Sequence, residues 1–236
     1  MITPREIRRA IEALPLEERM HIVDWLMEYS HVETRADSVR EPAAVYGETV
    51  PQLLTVEEYF ELEKRSGQRY EYVNGVVYAM SGASRAHNHI SLKLAFLLMQ
   101  HLRGGPCRVF SSDLKLNLKL GDAEFFYYPD VMVACDQRGW DEYFIHNPKL
   151  VIEILSPSTQ TMDVREKAFN YKRLPSVEEY VVVAQKDFRV TVHRRVEAWR
   201  GQVYSGPDAV AEFRSMGLTA PLSEIYAEVL GGEVYR

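Results

Sequence analysis

Lys149-Leu-Val-Ile-Glu-Ile-Leu-Ser-Pro-Ser-Thr159 is the stretch whose reading decides the fold of this chain. Residues 150–155 form an apolar run bounded by Pro148 on one side and Ser-Pro-Ser on the other. Valine, isoleucine and leucine in this density predict a central strand buried on both faces. Glu153 nevertheless stands in its middle. A carboxylate withdrawn from water is costly unless it meets a cation, carries a proton, or binds a metal ion. From this stretch alone all three solutions stay open.

Asp130 follows Pro129 at the head of an expected strand, which holds its backbone near a sheet end. If that strand neighbours 150–155, Asp130 and Glu153 can converge on one divalent ion. Hard oxygen ligands suit Mg²⁺ or Mn²⁺ and leave positions for water and phosphate. Lys167, one helical turn beyond Asp163, is the nearest cation able to complete such a site. An ammonium there can orient a water or steady charge on a phosphoryl group. The same Asp163/Lys167 spacing also makes an ordinary surface pair worth about 0.3–0.5 kcal/mol.

Outward from this centre, the pattern alternates helices and strands. Thr55-Val-Glu-Glu58 is a capping box opening a helix to about Arg65. Residues 70–80 read as a hairpin turned by Asn74-Gly75. Ser84 to Arg103 has a broad apolar face of Ile90, Leu94, Leu97, Leu98 and Leu102, and Gly104-Gly105 stops it. Leu114 to Leu120 alternates with Lys115, Asn117 and Lys119, which predicts a half-exposed strand. Strands over 125–135, 180–184 and 189–194, a helix over 162–174 and a closing helix over 222–230 complete the set. Together they predict an α/β layered domain with a mixed β-sheet flanked by helices.

Residues 1–30 read as a helical hairpin, with Ile7, Ala10, Ile11 and Leu14, then Met20, Val23, Leu26 and Met27, at helical spacing. Residues 31–52 lack periodicity and read as a linker, so residues 1–52 form an extension and 53–236 the main domain. Such an apolar face predicts self-association, most simply a dimer. With 46% hydrophobic and 26% charged residues the composition is that of a globular domain. No apolar run is long enough for a membrane span and the N-terminus lacks a signal-peptide core, so a cytoplasmic protein is expected. Cys107 and Cys135, each in an apolar stretch and without Cys-x-x-Cys spacing, are expected to be buried reduced thiols. A net charge of −6 argues against a broadly basic nucleic-acid coat but leaves room for a local basic groove or an acidic metal site.

Pro129-Asp130, Val151-Ile-Glu153-Ile-Leu-Ser-Pro-Ser-Thr159 and Asp163-x-x-x-Lys167-x-x-x-Tyr171 occur in an order that resembles the Uma-two family. That family falls in the restriction-endonuclease-like PD-(D/E)XK superfamily. The likeness extends to Thr-Val-Glu-Glu-Tyr from Thr55, Tyr70-Glu71-Tyr-Val-Asn-Gly-Val-Val, and Ser-Arg-Ala-His87-Asn, and covers roughly 54–229. It implies a nuclease domain over 53–236 acting on DNA with Mg²⁺ or Mn²⁺. Asp130 and Glu153 would bind the metal, Lys167 would assist, and Glu71 would be the third acid. The superfamily's plain motif has lysine two residues after the glutamate; here Leu155 fills that place and Lys167 on the next helix takes the role. His87, Lys115, Arg165 and Lys172, with Lys119 and Arg173, are candidates to meet phosphate, and the aromatic run 125–128 could stack bases. Two alternatives remain: a nucleic-acid-binding or regulatory protein without turnover, and a metal-free acid/base hydrolase using the two carboxylates.

Overall fold

The computed structural model describes residues 53–80, 82–138, 140–155 and 163–230, with only the backbone of 163–165. These belong to a compact unit, Thr49–Arg236. The expected hairpin over 1–30 and the linker over 31–52 lie outside the described residues.

Local sequence explains the first elements. Helix α1 (Val56–Ser66) is opened by the reciprocal capping box: Glu58 N donates to Thr55 Oγ1 at 3.2 Å, and Thr55 N to Glu58 Oε2 at 2.8 Å. Gly67 ends it at φ +66°, a conformation open to glycine at no steric cost. Thr55→Ala is expected to cost about 1 kcal/mol, read as a lower denaturant midpoint with an unchanged slope. Strands β1 (Tyr70–Val73) and β2 (Val76–Ala79) follow, paired Val73↔Val76 around Asn74-Gly75, both at positive φ as a type I′ turn requires. Helix α2 (Arg85–His101) comes next, then β3 (Arg108–Ser111), β4 (Lys115–Leu120), β5 (Ala123–Tyr127) and β6 (Val131–Ala134). After them run β7 (Phe144–Ile145), β8 (Leu150–Leu155), helix α3 (Asp163–Arg173), β9 (Glu179–Ala184), β10 (Arg189–Arg194) and β11 (Gly201–Ser205). Strands β12 (Val210–Phe213) and β13 (Leu218–Pro221) and the short helix α4 (Leu222–Ile225) close the order.

The strands form two main sheets. One has the order β2-β1-β5-β4-β7, the other β11-β10-β9-β8-β6-β3, and β12-β13 is a separate pair. Both main sheets are mixed: β8 and β9 run parallel, as do β4 and β7, while the other neighbours are antiparallel. One face of the six-stranded sheet packs Leu150, Ile152, Val181 and Val190 against α2, the β12-β13 pair and α4. Its other face shares a core with the five-stranded sheet and α3, through Met132, Val151, Leu116, Tyr127 and Tyr171. Tyr59 of α1 covers the far side of the five-stranded sheet with Tyr70, Tyr72 and Phe126.

Three expectations fail here. Strand β4 is covered on both faces, so Lys115, Leu116, Asn117 and Leu118 are all buried instead of alternating with solvent. Cys107 and Cys135 are joined in a disulfide and are not free buried thiols. The pairing of β3 with β6 sets Arg108 opposite Ala134, and the next residues outward are the two cysteines. The closing helix is also shorter than expected, one turn from Leu222 to Ile225.

Candidate active site

Strand alternation delivers the acids. In β8, Leu150, Ile152 and Ile154 enter the core under α2, so Val151 and Glu153 face the seam shared with α3. Strand β6 lies antiparallel beside it with Val131 opposite Ile152, and one more step of that register sets Asp130 opposite Glu153. Asp130 sits where the chain leaves β5 in one sheet and enters β6 in the other. Pro129 suits that crossing, since it gives no N–H to a ladder. In β1, Tyr70 and Tyr72 turn toward α1, so Glu71 between them turns the opposite way, toward the seam. Helix α3 brings Lys167 and Tyr171, one turn apart, over the same place.

The four predicted residues meet. Lys167 Nζ stands 2.5 Å from Glu71 Oε1 and 3.8 Å from Glu153 Oε1. Tyr171 donates its hydroxyl to Glu153 Oε1 at 2.8 Å, and Tyr128 N donates to Glu71 Oε1 at 3.4 Å. Asp130 Oδ2 accepts from Ile154 N at 2.7 Å and lies 3.1 Å from His87 Nε2. Ser91 Oγ donates to the Asp130 carbonyl at 3.2 Å, so α2 fixes this residue at two points. The side chains of Glu71, Asp130, Glu153 and Lys167 are each only 10–16% exposed.

Three carboxyl groups thus lie close to one ammonium and are largely withdrawn from solvent. Burial, with Asp130 and Glu71 adding repulsion, pushes the Glu153 carboxyl up to about 8, against the opposing pull of Lys167 and the Tyr171 hydroxyl. Burial works against charge on Lys167, yet Glu153 and Glu71 outweigh it and hold the ammonium above the ordinary lysine range. The Tyr180 hydroxyl is buried without a hydrogen-bond partner among the described residues and feels the charges of Glu153, Lys167 and Asp130.

Among the described residues, no three acidic, histidine or cysteine side chains are already gathered round one point as a closed metal cage. Asp130 and Glu153 offer two hard oxygen donors at facing positions, with surplus acidic groups and the Tyr180 hydroxyl, unpartnered among the described residues, nearby. That donor set fits Mg²⁺ or Mn²⁺, which keep several waters and take only one or two protein carboxylates.

The other sequence candidates scatter. His87 joins the site through Asp130. Lys115 does not reach a surface where a phosphate could meet it: it is buried, 2.9 Å from Glu63 Oε2 and 5.0 Å from the centre of the Phe60 ring. Lys172 is half-buried against the rings of Tyr180 and Trp199. The Arg165 and Asp163 side chains and residues 156–162 lie outside the described residues. Phe126, Tyr127 and Tyr128 are buried and Phe125 is half-buried against the same core, so the run serves chiefly to build the core. The sequence reading gave no role to Tyr171, Ser91 or Tyr180; the quoted Lys167-x-x-x-Tyr171 spacing was the available signal for the first.

Comparison with known proteins agrees with this architecture. A crystal structure of "a putative nuclease belonging to DUF820" from Anabaena variabilis superposes with a TM-score of 0.61 at 19% identity, covering 75% of this chain and 99% of that one. The chain has the fold of that protein. The family model Uma2, "Putative restriction endonuclease", matches residues 56–223. An uncharacterized Synechocystis protein, slr1290, is 35% identical over 176 residues, covering 73% of this chain and 91% of its own. A second, sll1609, is 29% identical over 169 residues, covering 70% and 94%. The chain belongs to the Uma2 family, the Uma-two family that its motifs resemble.

Proposed function

We propose that this protein is a divalent-metal-dependent endonuclease that hydrolyses phosphodiester bonds in DNA. The observation that carries the reading is the convergence of Glu71 and Glu153 on Lys167, with Asp130 opposite Glu153, in the seam between two sheets. Asp130 and Glu153 are the residues that would hold Mg²⁺ or Mn²⁺. Such an ion, when bound, neutralises charge on a phosphate and makes a bound water more acidic.

The chain's own residues have separable tasks. The amide of Ile154 and, in the tautomer protonated at Nε2, the ring of His87 hold the Asp130 carboxylate in one orientation. The Tyr171 hydroxyl does the same for Glu153. Because its acidic neighbours keep Lys167 protonated, it serves as a fixed cation and hydrogen-bond donor to a phosphate oxygen or an attacking water, and not as a base. Glu71 anchors that ammonium at 2.5 Å. The two sheets and α3 wall the seam, which strengthens each of these charge interactions by excluding water.

The test is nicking of supercoiled plasmid. Relaxation in Mg²⁺ or Mn²⁺ that stops with EDTA and in Glu153→Ala is the expected result. Cleavage indifferent to EDTA would replace this reading with a metal-free acid/base hydrolase. Plasmid bound but intact in either metal would replace it with a binding or regulatory protein on the same fold.

A further inference from the structure

We infer that Glu63, paired with Lys115 on the far face of the five-stranded sheet, is a positioning residue for the acidic site: its carboxylate ties together the two segments that carry Glu71 and Asp130. That these acids serve a metal rests on the nuclease reading; the tie itself rests on geometry.

Glu63 stands in α1, and its side chain is 12% exposed. Donors from three other segments meet its two oxygens. Oε1 accepts from Tyr70 N at 2.9 Å, where β1 starts, and from the Tyr128 hydroxyl at 2.8 Å, where the chain passes from β5 to β6. Oε2 lies 2.9 Å from Lys115 Nζ, where β4 starts. The same ammonium faces the rings of Phe60, Tyr128 and Tyr59 at 5.0, 5.4 and 5.9 Å. A carboxylate this far from water needs a counter-charge, and Lys115 supplies it.

Two of the bonded segments lead straight into the site. Tyr70 is followed by Glu71, which turns to the opposite face of the sheet and meets Lys167. Tyr128 is joined to Asp130 through Pro129, whose ring fixes its own φ and keeps the residue before it extended. Tyr128 N also donates to Glu71 Oε1 at 3.4 Å. A closed path of contacts thus runs from Glu63 through Tyr128 and Glu71 to Tyr70 and back. One carboxylate outside the site thereby sets the spacing of two acids inside it.

Stability alone gives a poor account of this pair. Apolar side chains of similar volume fill such a space without desolvating two charges. Hydrophobic contact has no preferred direction, whereas charge-assisted hydrogen bonds fix one. The Glu63 carboxylate is therefore suited to holding Tyr128 and Tyr70 in register, and with them Asp130 and Glu71.

Tyr128→Phe tests this, since it removes one hydroxyl and leaves Glu63 with Lys115 and Tyr70 N. Two measurements are made on the isotope-labelled full chain. One is the NMR signal of the Ile154 amide without metal; this amide donates to Asp130 Oδ2 at 2.7 Å from the other sheet and so follows the position of that carboxylate. The other is Mn²⁺ affinity by calorimetry. A displaced Ile154 signal and Mn²⁺ binding weakened about tenfold, the lower end for groups that orient metal ligands, are expected. Thr55→Ala weakens α1 through its cap without touching these bonds, and is expected to leave both measurements as in the wild type. An Ile154 signal unmoved in Tyr128→Phe overturns the inference, as do equal changes in Thr55→Ala, which would mark a general loosening of α1. A displaced signal with undiminished Mn²⁺ affinity overturns it too, because the tie would then shape the fold without serving the site. A wild type that binds no Mn²⁺, with the Ile154 signal still displaced in Tyr128→Phe, keeps the tie between Glu63 and Asp130 and overturns the metal reading.

Discussion

Glu153→Gln is expected to melt several degrees above the wild type at pH 8, while losing both metal binding and plasmid nicking. The folded protein holds the Glu153 proton up to about 8, from an ordinary value of 4.5. Between those values the folded state keeps a proton that the unfolded chain has released, so stability falls as pH rises through that window and levels off above it. The cost reaches a few kcal/mol as an order of magnitude, and each ~1 kcal/mol moves the melting temperature by about 2–4 °C at this chain length. Glutamine has the shape of the protonated acid, can still accept from Tyr171, and carries no charge to desolvate. Its melting temperature is therefore expected to depend less on pH between 5 and 8. Mn²⁺ reverses the order, stabilising the wild type by mass action and leaving the variant unmoved. A variant less stable than the wild type at pH 8, or one with the same pH slope, would show that Glu153 is not a strained buried charge.

The second large effect is expected from Lys167→Met. Methionine replaces much of the aliphatic stem but removes the ammonium that Glu71 and Glu153 share. Breaking a buried pair from one side leaves uncompensated charge and costs about 3–5 kcal/mol. Nicking should disappear as well, since no other cation is placed to take its task among the described contacts of these acids. Glu153→Gln added to Lys167→Met should recover part of the lost stability, a coupling of about 1 kcal/mol or more. Strictly additive denaturation midpoints would show that the two side chains do not feel each other, against the geometry. Recovery of stability without recovery of nicking separates the structural share of Lys167 from its chemical one.

What the sequence disclosed was governed by range. The capping box at Thr55, the Asn74-Gly75 turn and the apolar face of α2 are decided within a few residues, and each appears as expected. Strand 150–155 announced itself through its composition, and the oddity of Glu153 in that strand led to the site before any partner was visible. Distant pairing was not legible. Alternation over 114–120 suggested a wet face, but α1 covers one side of that sheet and α3 with the six-stranded sheet the other, so Lys115 is enclosed with Glu63. The disulfide depends on the register of β3 against β6, which no local pattern encodes. Glu71 looked like an ordinary strand glutamate and was marked only by family likeness. Its orientation follows from the two tyrosines beside it, which α1 claims. His87 was legible as a helix-start residue, while its bond to Asp130 required knowing that α2 crosses the end of β6.

Calorimetric titration of Mn²⁺ into the wild type and Glu153→Gln at pH 8 tests the central claim most directly. One saturable site in the wild type, absent from the variant and accompanied by proton release as Glu153 ionises, is the predicted result. Equal binding in both proteins, or none in either, would contradict it and return Glu153 to a buried partner of Lys167 with no metal to hold.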